Sequence, residues 1–89
     1  MKKYAQNSEI AWRSYEDEAV LVSPRDSRVM VLNSTGSTIW KALEHPRTIA
    51  ECADILAEIF DIDEKTALRD TEDLIEELLK KDLVVEKDE

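Results

Sequence analysis

Leu32-Asn33-Ser34-Thr35-Gly36-Ser37-Thr38-Ile39-Trp40 is the stretch at which this chain changes period. Before it, apolar residues come in short β-branched runs; after it, they recur at helical spacing almost to the end. The switch falls on small polar residues. The side chains of Asn33, Ser34 and Thr35 can each accept a hydrogen bond from the free N–H groups of a helix start. Gly36, the only glycine in 89 residues, lets backbone approach closely, and Ile39 and Trp40 open a buried face. A strand therefore ends at Leu32 and a helix starts at Asn33 or Ser34. So abrupt a turn sets how a sheet half meets a helical half, and the groove between the halves is the place to look for function.

Toward the N-terminus, Ile10-Ala11-Trp12-Arg13-Ser14-Tyr15 alternates, Ile10 and Trp12 against Arg13 and Tyr15, as a half-buried strand does. After the acidic turn Glu16-Asp17-Glu18, Ala19-Val20-Leu21-Val22-Ser23 is more continuously apolar and is read as the central strand. Pro24-Arg25-Asp26-Ser27 has turn chemistry, and Arg28-Val29-Met30-Val31-Leu32 is the third strand. Short strands joined by tight turns make an antiparallel meander, whose edge strands can template another chain. Residues 1–9 are read as a flexible polar end.

Toward the C-terminus, a first helix runs from about Ser34 to Glu44 and stops before His45-Pro46. Thr48-Ile49-Ala50-Glu51 is a capping box, and the helix it opens is expected to bury Cys52, Ala53, Leu56, Ile59 and Phe60. Asp63 caps a third helix that runs from Glu64 to about Lys81. Asp82 is read as a left-handed stop, Leu83-Val84-Val85 as a last extended segment and 86–89 as a flexible end.

The length fits one domain with a modest core. No apolar run approaches the ~20 residues of a membrane span, and none near Met1 resembles a signal peptide, so a cytoplasmic protein without membrane attachment is expected. Residues 1–33 balance five basic against five acidic side chains, whereas 34–89 hold seven basic and sixteen acidic. The whole net charge of −9 thus lies in the helical half, which repels phosphate backbones and makes nucleic acid an unexpected partner.

Catalytic and metal chemistry find no constellation. There is one cysteine, at a core-facing helical position, and one histidine beside a proline, so neither a disulfide nor a metal cluster is expected. One glycine cannot make a phosphate loop. A carrier-protein reading would need an Asp-Ser-Leu opening a helix; Asp26-Ser27 is followed by Arg28 in a turn.

The third helix has a wide apolar arc of roughly 140° at 100° per residue. Thr71, Ile75 and Leu78 sit near its middle, and Leu68 and Leu79 at one rim beside Glu72. Such an arc suits a helix packed on several neighbours, and it equally suits a rim lining a groove shared with the edge of the strand at 28–32.

The order of three strands, then residues 32–40, then Arg47-Thr48-Ile49, then Asp70, Leu74-Ile75-Glu76-Glu77-Leu78 and Asp82-Leu83-Val84, resembles the PqqD family. These are the peptide-binding proteins of pyrroloquinoline quinone synthesis and their relatives, the recognition elements of ribosomally synthesised and post-translationally modified peptides (RiPPs). The resemblance covers residues 10–85, with Leu-Asn-x-Thr-Gly-x-x-Ile-Trp its most specific part. Asp82 departs from the glycine often found there, and Leu21-Val22-Ser23-Pro24-Arg25 only loosely matches the Leu-Leu-Tyr-Pro-Glu segment of quinone-pathway members. Lasso-peptide and other radical-enzyme pathways match as well.

The resemblance implies an α+β fold: a winged helix-turn-helix with a three-stranded antiparallel sheet followed by three helices, without DNA binding. It implies a non-enzyme, without cofactor or metal, that binds the leader of a precursor peptide by strand addition. That leader is then presented to a modifying enzyme, of the radical SAM or another RiPP-tailoring type. Carried over by position, the backbone of Arg28, Val29, Met30, Val31 and Leu32 pairs with the leader, and Leu68, Thr71, Glu72 and Ile75 face its side chains; Arg28 can pair with a leader acid. The competing readings are a winged-helix transcription regulator and a general protein-interaction module. A regulator's recognition helix would be basic, but residues 64–81 carry four basic and six acidic side chains.

Overall fold

The helix starts are written into local side chains. Asn33 Oδ1 accepts from Gly36 N–H at 2.9 Å and caps α1, Ser34–Ala42. Thr48 and Glu51 close a reciprocal box on α2, Ile49–Phe60, and Asp63 accepts from Thr66 N–H to open α3, Glu64–Lys80. A Cβ at position 36 would stand 3.2 Å from Asn33 Oδ1, so glycine there keeps the first cap uncrowded. These elements come from a computed structural model, which describes residues 1–25 and 27–88. Asp26, read as part of a turn, and Glu89, read as part of a flexible end, lie outside the described residues.

The C-terminal end of α3 is closed as firmly. Asp82 takes φ 59°, the left-handed geometry expected of it. Asp82 N–H then donates to Leu79 C=O and Leu83 N–H to Leu78 C=O, the paired bonds of a Schellman stop. The turn hands the chain to β5, Val84–Asp88.

The meander appears as β2 (Ala11–Tyr15), β3 (Glu18–Val22) and β4 (Val29–Leu32), with β3 in the centre. Its inner face buries Ala19, Leu21 and Leu32. These meet Ile39, Trp40 and Leu43 of α1 and its C-cap, Leu56 of α2, and Ile75 and Leu78 of α3 in one apolar core. Trp40 is fully buried, and Trp12 meets it edge-on with ring centroids 6.1 Å apart.

Two expectations are corrected. Residues 1–9 are not a loose end throughout: Lys2–Gln6 is strand β1, paired antiparallel with β5 from Lys2↔Asp88 to Gln6↔Val84, which also draws 86–88 into a ladder. On its other side, Tyr4 and Arg47 exchange backbone hydrogen bonds of 2.7 and 3.0 Å. Only Tyr4 and Ala5 of this strand are buried, too little apolar pattern to be read locally. Ile59 is not core but exposed: the last turn of α2 overlooks an open hollow bounded by Asp17 and the start of α1. Among the described residues, no helix is long and apolar enough to cross a membrane.

Candidate functional site

The sheet order β2-β3-β4 leaves β4 with a strand on one side only among the described residues. Which of its backbone groups are spoken for follows from the ladder. Ser23 N–H donates to Arg28 C=O at 2.9 Å, so these two residues form a hydrogen-bonded pair. The register continues Val22↔Val29, Leu21↔Met30, Val20↔Val31 and Ala19↔Leu32. Hydrogen-bonded and non-bonded pairs alternate along an antiparallel ladder. Met30 therefore turns its N–H and C=O toward β3, and Val29 and Val31 turn theirs toward the open edge.

Side chains alternate with the same period but across the faces. Leu32 is buried and Met30 half-buried toward the helices, whereas Val29 and Val31 are 64% and 55% exposed on the outer face. Beside the start of β4 lies a cleft of about 110 Å³ lined by Leu21, Ser23, Arg28, Val29, Met30, Lys81 and Leu83. The open backbone edge thus adjoins a hollow whose far wall is the end of α3.

The residues expected on α3 are distributed differently. Thr71 and Ile75, at 0% and 1% exposure, are core. Leu68 is 40% exposed but lines a separate hollow with Ala50, Ala53, Asp54 and Glu64, facing α2 and not β4. Glu72 is exposed on the same margin. At 100° per residue, Leu74 and Lys81 occupy the opposite margin of the buried arc, Lys81 about 140° from Leu68. Lys81 is the α3-end residue brought to β4, and sequence reasoning passed over it. Periodicity defines an arc without saying which margin faces which neighbour.

Titratable chemistry is sparse here. Burial pushes the Cys52 thiol up to about 11, leaving it an unreactive core thiol near neutral pH. His45 is exposed in the loop before α2, and no group of three or more His, Cys, Asp or Glu side chains arranged to hold a metal occurs among the described residues.

Residues 18–84 match the family model described as coenzyme PQQ synthesis protein D (PqqD). The chain belongs to the PqqD family. PqqD-like architecture is also what its fold resembles among solved structures. TbiB1 in complex with the TbiA(beta) leader peptide superimposes with a TM-score of 0.82 at 26% identity, covering 90% of this chain and 93% of that one. Lasso peptide synthetase B1 complexed with the leader peptide gives 0.78 at 23% identity, over 92% and 96%. The PqqD truncation of Methylobacterium extorquens PqqCD, a functional, stand-alone RiPP recognition element, gives 0.76 at 20% identity, over 93% and 88%. At those last two identities the likeness speaks for the PqqD-like fold alone. No curated protein sequence matches the chain.

Proposed function

We propose that this chain is a recognition element that binds the leader segment of a ribosomally made precursor peptide as an added strand on β4 and presents it to a separate modifying enzyme. The observation that carries the reading is the open edge of β4: Val29 and Val31 direct backbone donors and acceptors outward beside a cleft with an apolar floor. Strand addition draws affinity from such main-chain bonds and specificity from pockets for alternate side chains. Family membership and the likeness to TbiB1, a protein solved with a leader peptide, support it. The proposed contacts are the backbone of Arg28 to Leu32, with Lys81 joining from α3.

Presentation has a surface available. Ala11, Trp12, Arg13, Tyr15, Val20 and Val22 line a shallow hollow of about 340 Å³ on the outside of the sheet, and Val29 and Val31 continue it to the β4 edge. Among the described residues no layer covers this face, on which Tyr15, Val22, Val29 and Val31 are exposed. A tailoring enzyme resting there would contact the leader strand as well. We read the chain itself as non-catalytic, in keeping with its membership of the PqqD family.

A transcription-regulator reading is disfavoured by the six acidic and four basic residues of 64–81. The deciding experiment is a titration of the isotopically labelled chain with a synthetic leader from a precursor peptide encoded beside it. Slowed amide exchange at Val29 and Val31 on binding is expected. Undisturbed β4 amides at saturation, or tight binding to duplex DNA instead, would overturn the proposal.

A further inference from the structure

The outer face of the meander differs in charge from the rest of the molecule. The ladder sets Val22 beside Val29 in one row and Val20 between Arg13 and Val31 in the next, with Glu18 one row further on. Strand alternation points all six side chains away from the core, and none of them is buried. Of the strand residues on this face, only Arg13 and Glu18 are charged, and they cancel. Residues 34–89, by contrast, hold the whole net charge of −9. We propose that this face also pairs with a second copy of the chain, sheet on sheet. The product is a weak two-fold dimer that hides the surface offered to a tailoring enzyme.

A second copy is the occupant that the charges select. Arg13 and Glu18 are diagonal neighbours across β2 and β3, roughly 7–8 Å apart, and neither is in a salt bridge among the described residues. A two-fold axis lying in the interface and bisecting that diagonal exchanges the two positions. Arg13 of each copy then meets Glu18 of the other, the self-complementarity that an isologous interface needs. The same axis lays Val20 and Val31 over valines of the other copy. The acidic helical halves come to lie on opposite outer sides, across both sheets, where salt screens their repulsion.

Size sets the strength. Three strands of four or five residues make a face of about 14 by 17 Å. Packed on its copy, such a face buries less than the ~1,200–2,000 Å² of stable complexes, so the dimer forms and parts readily. The backbone edge of β4 lies in the plane of the sheet and stays open, so a dimer still takes up a leader. It withholds that leader from an enzyme that must rest on the outer face. Partner copy and enzyme are then alternative occupants of one surface. This consequence rests on the presentation reading above; self-association itself does not.

The test is sedimentation equilibrium on the full chain over about 10 μM to 1 mM, the range that suits so small an interface. The average mass of the parent chain is expected to rise from 10.2 kDa toward twice that value. Arg13→Glu and Glu18→Arg, each confirmed folded by its melting curve, should weaken self-association by about tenfold, since each sets like charges together twice. An equimolar mixture of the two variants should dimerise again, because their reversed charges are opposite. A parent chain that stays at 10.2 kDa throughout overturns the dimer. Undiminished association of both single variants, or no recovery on mixing, overturns this face as its interface. Turnover per leader-loaded parent chain by the cognate enzyme should fall as its concentration rises through the same range. A chain that dimerises without slowing turnover overturns the masking role and leaves the dimer standing.

Discussion

The hydroxyl of Ser37 on α1 accepts a hydrogen bond from the backbone N–H of Ala19 on β3 at 2.7 Å. The same hydroxyl donates to the C=O of Leu32 at 3.0 Å, and Ala19 and Leu32 are register partners across β3 and β4. One helix side chain therefore stands in the ladder where a direct strand-to-strand bond would be. It ties the meander to α1 at the residue where strand gives way to helix. All three groups are buried, so no water replaces it. Ser37→Ala orphans a donor and an acceptor and should cost ~2–6 kcal/mol, at one to three for each unsatisfied buried group. Denaturant unfolding measures this, and a loss under ~0.5 kcal/mol would mean that β3 and β4 close directly when the hydroxyl is gone.

Proline on β4 separates folding from peptide binding. Met30 N–H faces β3, so Met30→Pro removes a ladder bond and should lower the melting temperature markedly. Val29 N–H faces the open edge, so Val29→Pro should fold like the parent chain and bind a leader peptide more weakly by ~0.5–1.5 kcal/mol plus a steric cost. Melting curves and a leader titration on both variants check this; equal effects on folding would show the alternation to be misassigned.

On α3, three substitutions report burial and facing. Leu78→Asp places a charge in the core and should unfold the domain. Leu68→Asp, facing α2 at a half-open position, should change neither folding nor peptide affinity appreciably. Thr71 Oγ1 is buried and finds no hydrogen-bond partner among the described residues. Thr71→Val keeps the shape and removes that orphan, so stability should rise by ~1 kcal/mol. Calorimetry on the three variants gives the order directly.

Acid should loosen the helix starts before it affects the core. The Thr48 N–H that Glu51 accepts holds the Glu51 carboxyl below its ordinary 4.5, and hydrogen bonds from the Thr66 side chain and N–H hold Asp63 below its ordinary 3.8. Groups with a lowered folded pKa contribute their stability above the unfolded value and lose it as pH falls through the folded one. Both caps should therefore be intact at neutral pH and fail only below the ordinary carboxylate range. Asp63→Asn keeps a capping side chain that does not titrate, so its acid limb should be flatter than the parent's in melting temperature measured from pH 7 to pH 2.

The outer face should matter to the enzyme and not to the fold. Val22 is exposed there and lines the apolar hollow. Val22→Asp should leave the melting curve and leader affinity unchanged while reducing turnover of the leader-bound precursor by the cognate tailoring enzyme. Unchanged turnover would place the enzyme contact elsewhere.

What the sequence by itself determined was everything decided within a few residues of chain. Asn33, Thr48 with Glu51, and Asp63 announce helix starts because a side chain reaches N–H groups only three positions on. Asp82 announces a stop, and the alternation of 10–15, 19–23 and 28–32 announces strands, for equally local reasons. That pattern also sufficed to point to the family. Tertiary structure alone decided which residues meet across the chain. Lys2–Gln6 carries almost no apolar signal and becomes a strand because Val84–Asp88 and Arg47 supply hydrogen bonds from far along the sequence. The margin of α3 that faces β4 is likewise invisible locally. A helix of period 3.6 buries an arc whichever neighbour it meets, and only packing against α2 and β5 turns Leu68 away and brings Lys81 to the groove.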